Sequence, residues 1–352
     1  MSPDRPFRPS SYPPAGEQWA SEGLPRAFGD YVLLRRRATG GMAELFVATR
    51  RGPAPGDLVV IKKVLSSIAD SDRDALSRLL VQEGRTMAAL SHANVARLLD
   101  SGSVGGAPYI VLERVHGEDL RSIVRQMRRK RVAEFPIESA LGIVLGVCEG
   151  LAHVHERCAP SGEPLGIVHR DVSPQNVLVT FRGEVKLVDF GVAESRAQAD
   201  DAREGRPKGK LPYMSPEQAR GQALDGRSDV FSTGVLLFEL TTGQRLFKGA
   251  GDRETRALLL DRPYPRPSHV FALYPPALEI IVERALAKDR DQRWSSAREM
   301  GTALRAFVRD EGVDVGPPVL GRMMTSLFEE EMQEEASAIT EAQRVAGALL
   351  GR

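Results

Sequence analysis

Apolar positions repeat with two different periods, and the period changes along the chain. Up to about residue 115 the runs are short, β-rich and alternating: Tyr31 to Arg37, Glu44 to Thr49, Leu58 to Val64 and Pro108 to Arg114. One helical stretch interrupts them, over residues 72–90. Beyond 115 helical spacing dominates. Pro136 opens a helix running to about Glu156, with Leu141, Val144, Cys148, Leu151 and Ala152 as an apolar stripe. The run from Asp229 (DVFSTGVLLFEL) is apolar on nearly all faces, which predicts a buried helix. Residues 319–346 carry Leu320, Met323, Met324, Leu327, Phe328 and Met332 among glutamates, the pattern of an amphipathic helix. Residues 1–28, with Pro3, Pro6, Pro9, Pro13, Pro14 and Pro25, read as a disordered, solvated leader.

Two apolar runs bracket the polar loop His169-Arg170-Asp171-Val172-Ser173-Pro174-Gln175-Asn176, and Asp189-Phe190-Gly191 follows thirteen residues after Asn176. Between the first two strands lies the turn Ala38-Thr39-Gly40-Gly41-Met42-Ala43, and the third strand carries Lys62. A carboxylate can orient a hydroxyl and accept its proton, and Asp and Asn oxygens suit Mg²⁺. In this order and at this spacing the motifs resemble the catalytic loop and metal-binding turn of protein kinases. The resemblance is specifically to bacterial eukaryotic-like Ser/Thr kinases, in which a loop of the form HRDVSPQN is familiar. The resemblance covers about 29–310, roughly four fifths of the chain.

That resemblance implies an α+β, two-lobed protein kinase fold with ATP between the lobes. A small antiparallel β lobe with one main helix would occupy about 29–115 and a larger helical lobe about 116–310. Residues 311–352 would form a tail that packs on the larger lobe or binds a partner. It also implies roles. Asp171 is the catalytic base, and Asn176 and Asp189 hold Mg²⁺. Lys62, fixed by Glu83, places the α- and β-phosphates of ATP beneath Gly40 and Gly41. Glu113 to Val115 forms the adenine-binding segment behind Leu112, and Leu178 belongs to the nucleotide site. Asp119 either reaches the ribose or is a helix N-terminal acid. Asp229 either holds the catalytic-loop backbone or caps its helix. Glu217, in the sequence Ser215-Pro216-Glu217, pairs with Arg293 in a structural ion pair. Lys63, beside Lys62, is expected to be solvated.

The chain departs from the family pattern in places. Ala38 and Ala43 stand at two of the three usual glycine positions, which implies a stiffer phosphate loop. Val60 replaces the usual alanine against adenine. Ser173 stands where a lysine offsets charge on the γ-phosphoryl group, and Lys210 stands where Ser/Thr kinases carry a threonine. A lysine lost on one side of the site is therefore gained on the other, and Lys210 is expected to supply the missing charge. Between residues 192 and 214 the only hydroxyl residues are Ser195 and Tyr213. Arg170, the usual partner of an activation-loop phosphate, is thus expected to meet a built-in acid: Glu194, Asp200, Asp201 or Glu204. The reading is an active Ser/Thr protein kinase that needs no activation-loop phosphorylation. The alternative, motivated by Ala38, Ala43 and Ser173, is a nucleotide-binding pseudokinase or scaffold. A small-molecule phosphotransferase is disfavoured by the complete pattern from Ser215-Pro216-Glu217 to Arg293.

Composition adds boundaries. A net charge of +1 gives no electrostatic argument for nucleic acid or an anionic membrane. No uninterrupted apolar run has the length of a membrane span, so a cytoplasmic enzyme with a protein substrate is expected. Cys148 and Cys158 form no CxxC pair and suit a reducing compartment; Cys148 reads as a small buried hydrophobe. His153 and His155 read as surface or packing histidines rather than metal ligands.

Overall fold

The alternating runs form strands that pair side by side, and the helical runs assemble separately. The computed structural model describes residues 23–39, 43–51, 56–65, 70–190 and 211–349. They divide into two units, the first drawn from residues up to 88, 97–114 and 328 onward, the second from 89–96 and 115–327.

The first unit is an antiparallel sheet in the order β1-β2-β3-β4-β6-β5. Its strands are β1 (Arg26–Phe28), β2 (Tyr31–Thr39), β3 (Ala43–Arg50), β4 (Leu58–Val64), β5 (Leu98–Val104) and β6 (Ala107–Glu113), with helix α1 (Asp70–Ala88) between β4 and β5. Alternation sends Tyr31, Leu33, Phe46, Ala48, Val59, Ile61, Tyr109 and Val111 into one apolar cluster. The expected leader runs too far: Arg26–Phe28 is a strand paired with β2. Proline denies a sheet its N–H donors, but the last proline is Pro25, so residues 26–28 keep theirs. Lys63 is also not solvated. It lies directly across from Glu44 in the β3–β4 register, is buried, and donates to the Glu44 carboxylate at 2.7 Å.

The second unit is helical. It contains β7 (Gly117–Asp119), α2 (Leu120–Arg129), α3 (Ile137–His155), β8 (Val177–Thr180), β9 (Val185–Leu187), α4 (Pro216–Ala219), α5 (Gly226–Thr242), α6 (Asp252–Leu260), α7 (Pro267–Val270), α8 (Pro276–Ala285) and α9 (Ala297–Asp310). Among the described residues α3 alone is long and apolar enough to cross a membrane, yet two thirds of it is buried inside the unit. It is the core helix, packed on α5 and α9. Burial there pushes the Cys148 thiol up to about 12, so this sulfur is an inert packing group.

A last helix, α10 (Pro317–Leu349), belongs to both units in turn. Up to Leu327 it packs in the second unit through buried Leu320, Met324 and Leu327. Gln126 donates to the Leu327 carbonyl at 2.9 Å and Lys130 to that of Ser326 at 3.0 Å. Gly183, at φ +87°, makes room for the helix start: a Cβ there would stand 1.8 Å from the Pro317 carbonyl oxygen. Helical geometry breaks at Phe328 (φ −128°, ψ 20°), and from that residue the chain packs in the first unit. Packing on the larger lobe therefore holds only to Leu327. Beyond it, Ala342 and Ala346 meet Val32, Leu34 and Leu58 of the sheet.

Candidate active site

In the first unit α1 approaches the sheet closely at Gly84, where a Cβ would stand 3.0 Å from Ile110. The next residue back, Glu83, is 2% exposed and accepts from Lys62 Nζ through both oxygens, at 2.7 and 2.9 Å. A carboxylate so buried needs its cation, and the strand lysine supplies it. Val60 on β4 lies opposite Leu112 on β6. Glu113 ends that strand, and its N–H donates to Arg97 O at 2.9 Å. Ala38 is buried on β2, while Gly40 and Gly41 lie outside the described residues.

In the second unit the catalytic-loop candidates hang from one carboxylate. Asp229, 1% exposed, accepts from the backbone N–H of His169 and of Arg170, both at 2.8 Å. It also meets His155 Nε2 at 2.7 Å. Burial works against the charged carboxyl. The His155 bond and the other donors outweigh it and hold Asp229 below the usual carboxylate range. Helix α5 is capped by Asp225 instead, so Asp229 takes the backbone-holding role of the two considered.

The loop so held turns through φ +66° at Arg170 and presents Asp171 and Asn176, both buried. Asn176 Nδ2 donates to the Asp171 carbonyl at 2.9 Å and also to its carboxylate oxygen Oδ2. The Asn176 carbonyl accepts from Val188 N at 3.0 Å, tying the loop to the approach of Asp189, which also adopts positive φ (+56°). Phe190 is buried, its ring 4.7 Å from that of His169. Ser173 is 2% exposed, and its hydroxyl has no hydrogen-bond partner among the described residues. Val115 is buried, and Leu178 on β8 lies across from Asp119. Asp119 caps α2: its Oδ1 accepts from Ser122 N at 2.9 Å and its Oδ2 from Ser122 Oγ at 3.1 Å. Of its two expected roles, helix capping is the one seen.

Lys210 and the acids Glu194, Asp200, Asp201 and Glu204 lie outside the described residues. Arg170 Nε is buried with no partner among those that are described. The Glu217–Arg293 pair forms as expected, at 2.7 and 2.8 Å. His153 packs as expected, stacked on His92 with ring centroids 5.0 Å apart. His155 is the residue that sequence reasoning missed. Its signal was an imidazole ending a helix apolar on most faces, where a polar ring must find a partner.

A sheet unit with a strand lysine locked to a helix glutamate, and a helical unit presenting an Asp/Asn loop hung from a buried aspartate, define a kinase-type phosphotransferase fold. A sequence description of the protein kinase domain matches residues 39–303. Over 317 residues the chain is 35% identical to tyrosine-protein kinase MasK of Myxococcus xanthus, covering 90% of this chain and 49% of MasK. It is 33% identical over 278 residues to the probable serine/threonine-protein kinase PknB of Lactococcus lactis (79% of this chain, 42% of PknB). It is 32% identical over 280 residues to serine/threonine-protein kinase PknL of Mycobacterium tuberculosis (80% of this chain, 66% of PknL). The solved kinase domain of Mycobacterium tuberculosis PknI has the same fold, with TM-score 0.59 at 23% identity, covering 82% of this chain and 99% of that domain. The chain belongs to the protein kinase family. It spans about half the length of the first two of these relatives.

Proposed function

We propose that this chain is an ATP-dependent protein kinase acting on serine and threonine hydroxyls of a protein substrate. The observation that carries the proposal is Asp171, presented with Asn176 on a loop whose backbone is fixed by buried Asp229. A base must be held in place before the acceptor arrives, and this loop is held from beneath. The Lys62–Glu83 pair supports the same reading, because an active kinase requires it to be made.

The residues fit Mg²⁺ and ATP. The amide oxygen of Asn176 accepts no hydrogen bond from the described residues, and with the Asp189 carboxylate it forms an oxygen donor set suited to Mg²⁺. When bound, Mg²⁺ neutralises charge on the transferring phosphoryl group. Lys62 orients the α- and β-phosphates, Glu113 and Val115 offer backbone groups to adenine beside Leu178, and Asp171 accepts the hydroxyl proton. A ribose contact by Asp119 would compete with its bonds to Ser122.

The names of the relatives divide between tyrosine and serine/threonine kinases, so acceptor class is part of the test. The full chain is incubated with Mg²⁺-ATP and a generic protein acceptor, and the phosphoamino acids are separated. Phosphoserine and phosphothreonine are expected. Phosphotyrosine alone would overturn the acceptor class. Nucleotide binding without transfer would favour the pseudokinase reading. A cytoplasmic setting goes with this proposal; α3, the one described helix long and apolar enough to cross a membrane, is two thirds buried inside its unit.

Two finer expectations belong to it. Ser173 supplies no cation, and its buried hydroxyl has no hydrogen-bond partner among the described residues. Lys210 is taken to provide the charge instead, so Lys210→Ala should lower kcat by about 10²–10³-fold. A change under about threefold would remove Lys210 from the site. Activity is also expected without activation-loop phosphorylation: phosphatase-treated enzyme and Ser195→Ala should both keep wild-type rates, and loss in both would end that expectation.

A further inference from the structure

The second half of α10 meets the sheet through a buried carboxylate as well as through Ala342 and Ala346. Glu335 Oε1 lies 3.5 Å from Arg35 Nη2, 3.5 Å from Arg37 Nη1 and 3.2 Å from Arg114 Nη2, all within the first unit. Glu335 is 8% exposed. Burial raises the cost of its charge, but Arg37, Arg114 and Arg35 outweigh that and hold its carboxyl below the ordinary range. Among the described residues Glu335 is the one acid within ion-pair distance of Arg114, and Arg114 Nε finds no hydrogen-bond partner there.

The positions of the three arginines give this cluster its meaning. Strand β2 slips register twice, between Leu33 and Arg35 and again between Arg36 and Ala38, leaving Leu34 and Arg37 without opposed partners. Such bulges re-aim side chains. The slips accompany a change of neighbours: Leu34 packs with Val32 against Ala346, while Arg35 and Arg37 reach Glu335. Arg37 is followed by Ala38, the first residue of the glycine turn, and Arg114 sits between Glu113 and Val115, the adenine-binding segment. One acid from the far end of the chain thus holds the backbone leading into the phosphate loop and the backbone expected to bind the base.

We propose that Glu335 is a positioning residue for nucleotide: through Arg35, Arg37 and Arg114 it sets the phosphate-loop strand against the adenine-binding segment. The proposal rests on the kinase reading for its ligand but not for its mechanics. Removing the negative charge deletes the counter-charge that these three guanidinium groups share, which loosens β2 against the end of β6. Asp171, Asn176 and Lys62 are untouched, so the effect falls on nucleotide affinity rather than turnover.

The test uses the full chain, with a non-hydrolysable ATP analogue plus Mg²⁺ as probe and amide hydrogen exchange as a second readout. Glu335→Gln should weaken analogue binding and raise KM for ATP by about tenfold, with kcat kept within about twofold. Exchange should quicken at 35–39 and 110–114. Glu335→Asp, which keeps the charge, should restore most of the affinity. Arg37→Gln, which cuts only the strand side, should lose affinity in the same direction and stands in if Glu335→Gln does not fold. Wild-type affinity with unchanged exchange in the folded variants would overturn the proposal. If wild-type protein bound no nucleotide, the kinase reading would fail, while exchange would still decide whether Glu335 holds these two segments.

Discussion

Asp171→Asn is expected to lower kcat for phosphoryl transfer by about 10²–10⁴-fold, the range a positioned general base contributes. The substitution preserves size. It replaces the carboxylate that accepts from Asn176 Nδ2 with an amide that can still turn its oxygen to that donor. The loop backbone is fixed elsewhere, by Asp229 and by the Asn176–Val188 bond, so the fold and analogue binding should survive. What is lost is the ability to orient the acceptor hydroxyl and take its proton. Steady-state phosphate incorporation by purified wild type and variant checks this. Undiminished incorporation by the variant would mean that the observed activity came from a contaminant.

Glu217→Gln is expected to cost about 3–5 kcal/mol of stability, the cost of breaking a buried ion pair from one side. Arg293 has a fully buried side chain. Two of its donors serve the Glu217 carboxylate; the others serve the carbonyls of Ala287, Arg227 and Lys288. A neutral glutamine leaves that guanidinium buried without its counter-charge. Burial by itself pushes the Glu217 carboxyl up, but Arg293, with Ser228 assisting, overrides it and holds the value at about 2 against an ordinary 4.5. The folded state therefore binds this proton less readily than the unfolded chain. The contribution is fully present above the ordinary value and fades as pH falls from about 4.5 toward about 2. Chemical denaturation of wild type and Glu217→Gln should show the full gap near neutral pH and a narrowing one in acid. A pH-independent gap would mean that the lost stability comes from packing.

Much of this arrangement was legible in the residues themselves. Lys62 and Glu83 followed from the kinase resemblance, through a β-rich run ending in lysine and the register of the following helix. Asp229, Glu217 and Arg293 followed from the resemblance to the kinase pattern, whose motifs they match in order along the chain. The unread parts share one cause: they depend on what lies across from a residue rather than beside it. Lys63 looked solvated because a strand sequence does not reveal that Glu44 will stand opposite. His155 looked ordinary because Asp229 is 74 residues away in sequence. Arg26–Phe28 was hidden by proline density, an average that ignored where the last proline falls. The tail read as one amphipathic helix, and periodicity does not say that its partner changes at Phe328.

That change of partner separates two boundaries. The match to the protein kinase domain ends at residue 303, yet α10 continues to Leu349. The helix keeps water from Gly142 and Gly183 in one unit and from Val32 and Leu34 in the other. A chain ended where the domain match ends would wet all four surfaces and keep every residue named in the chemistry. The end of the kinase domain match and the end of the surface that its units need covered are different places.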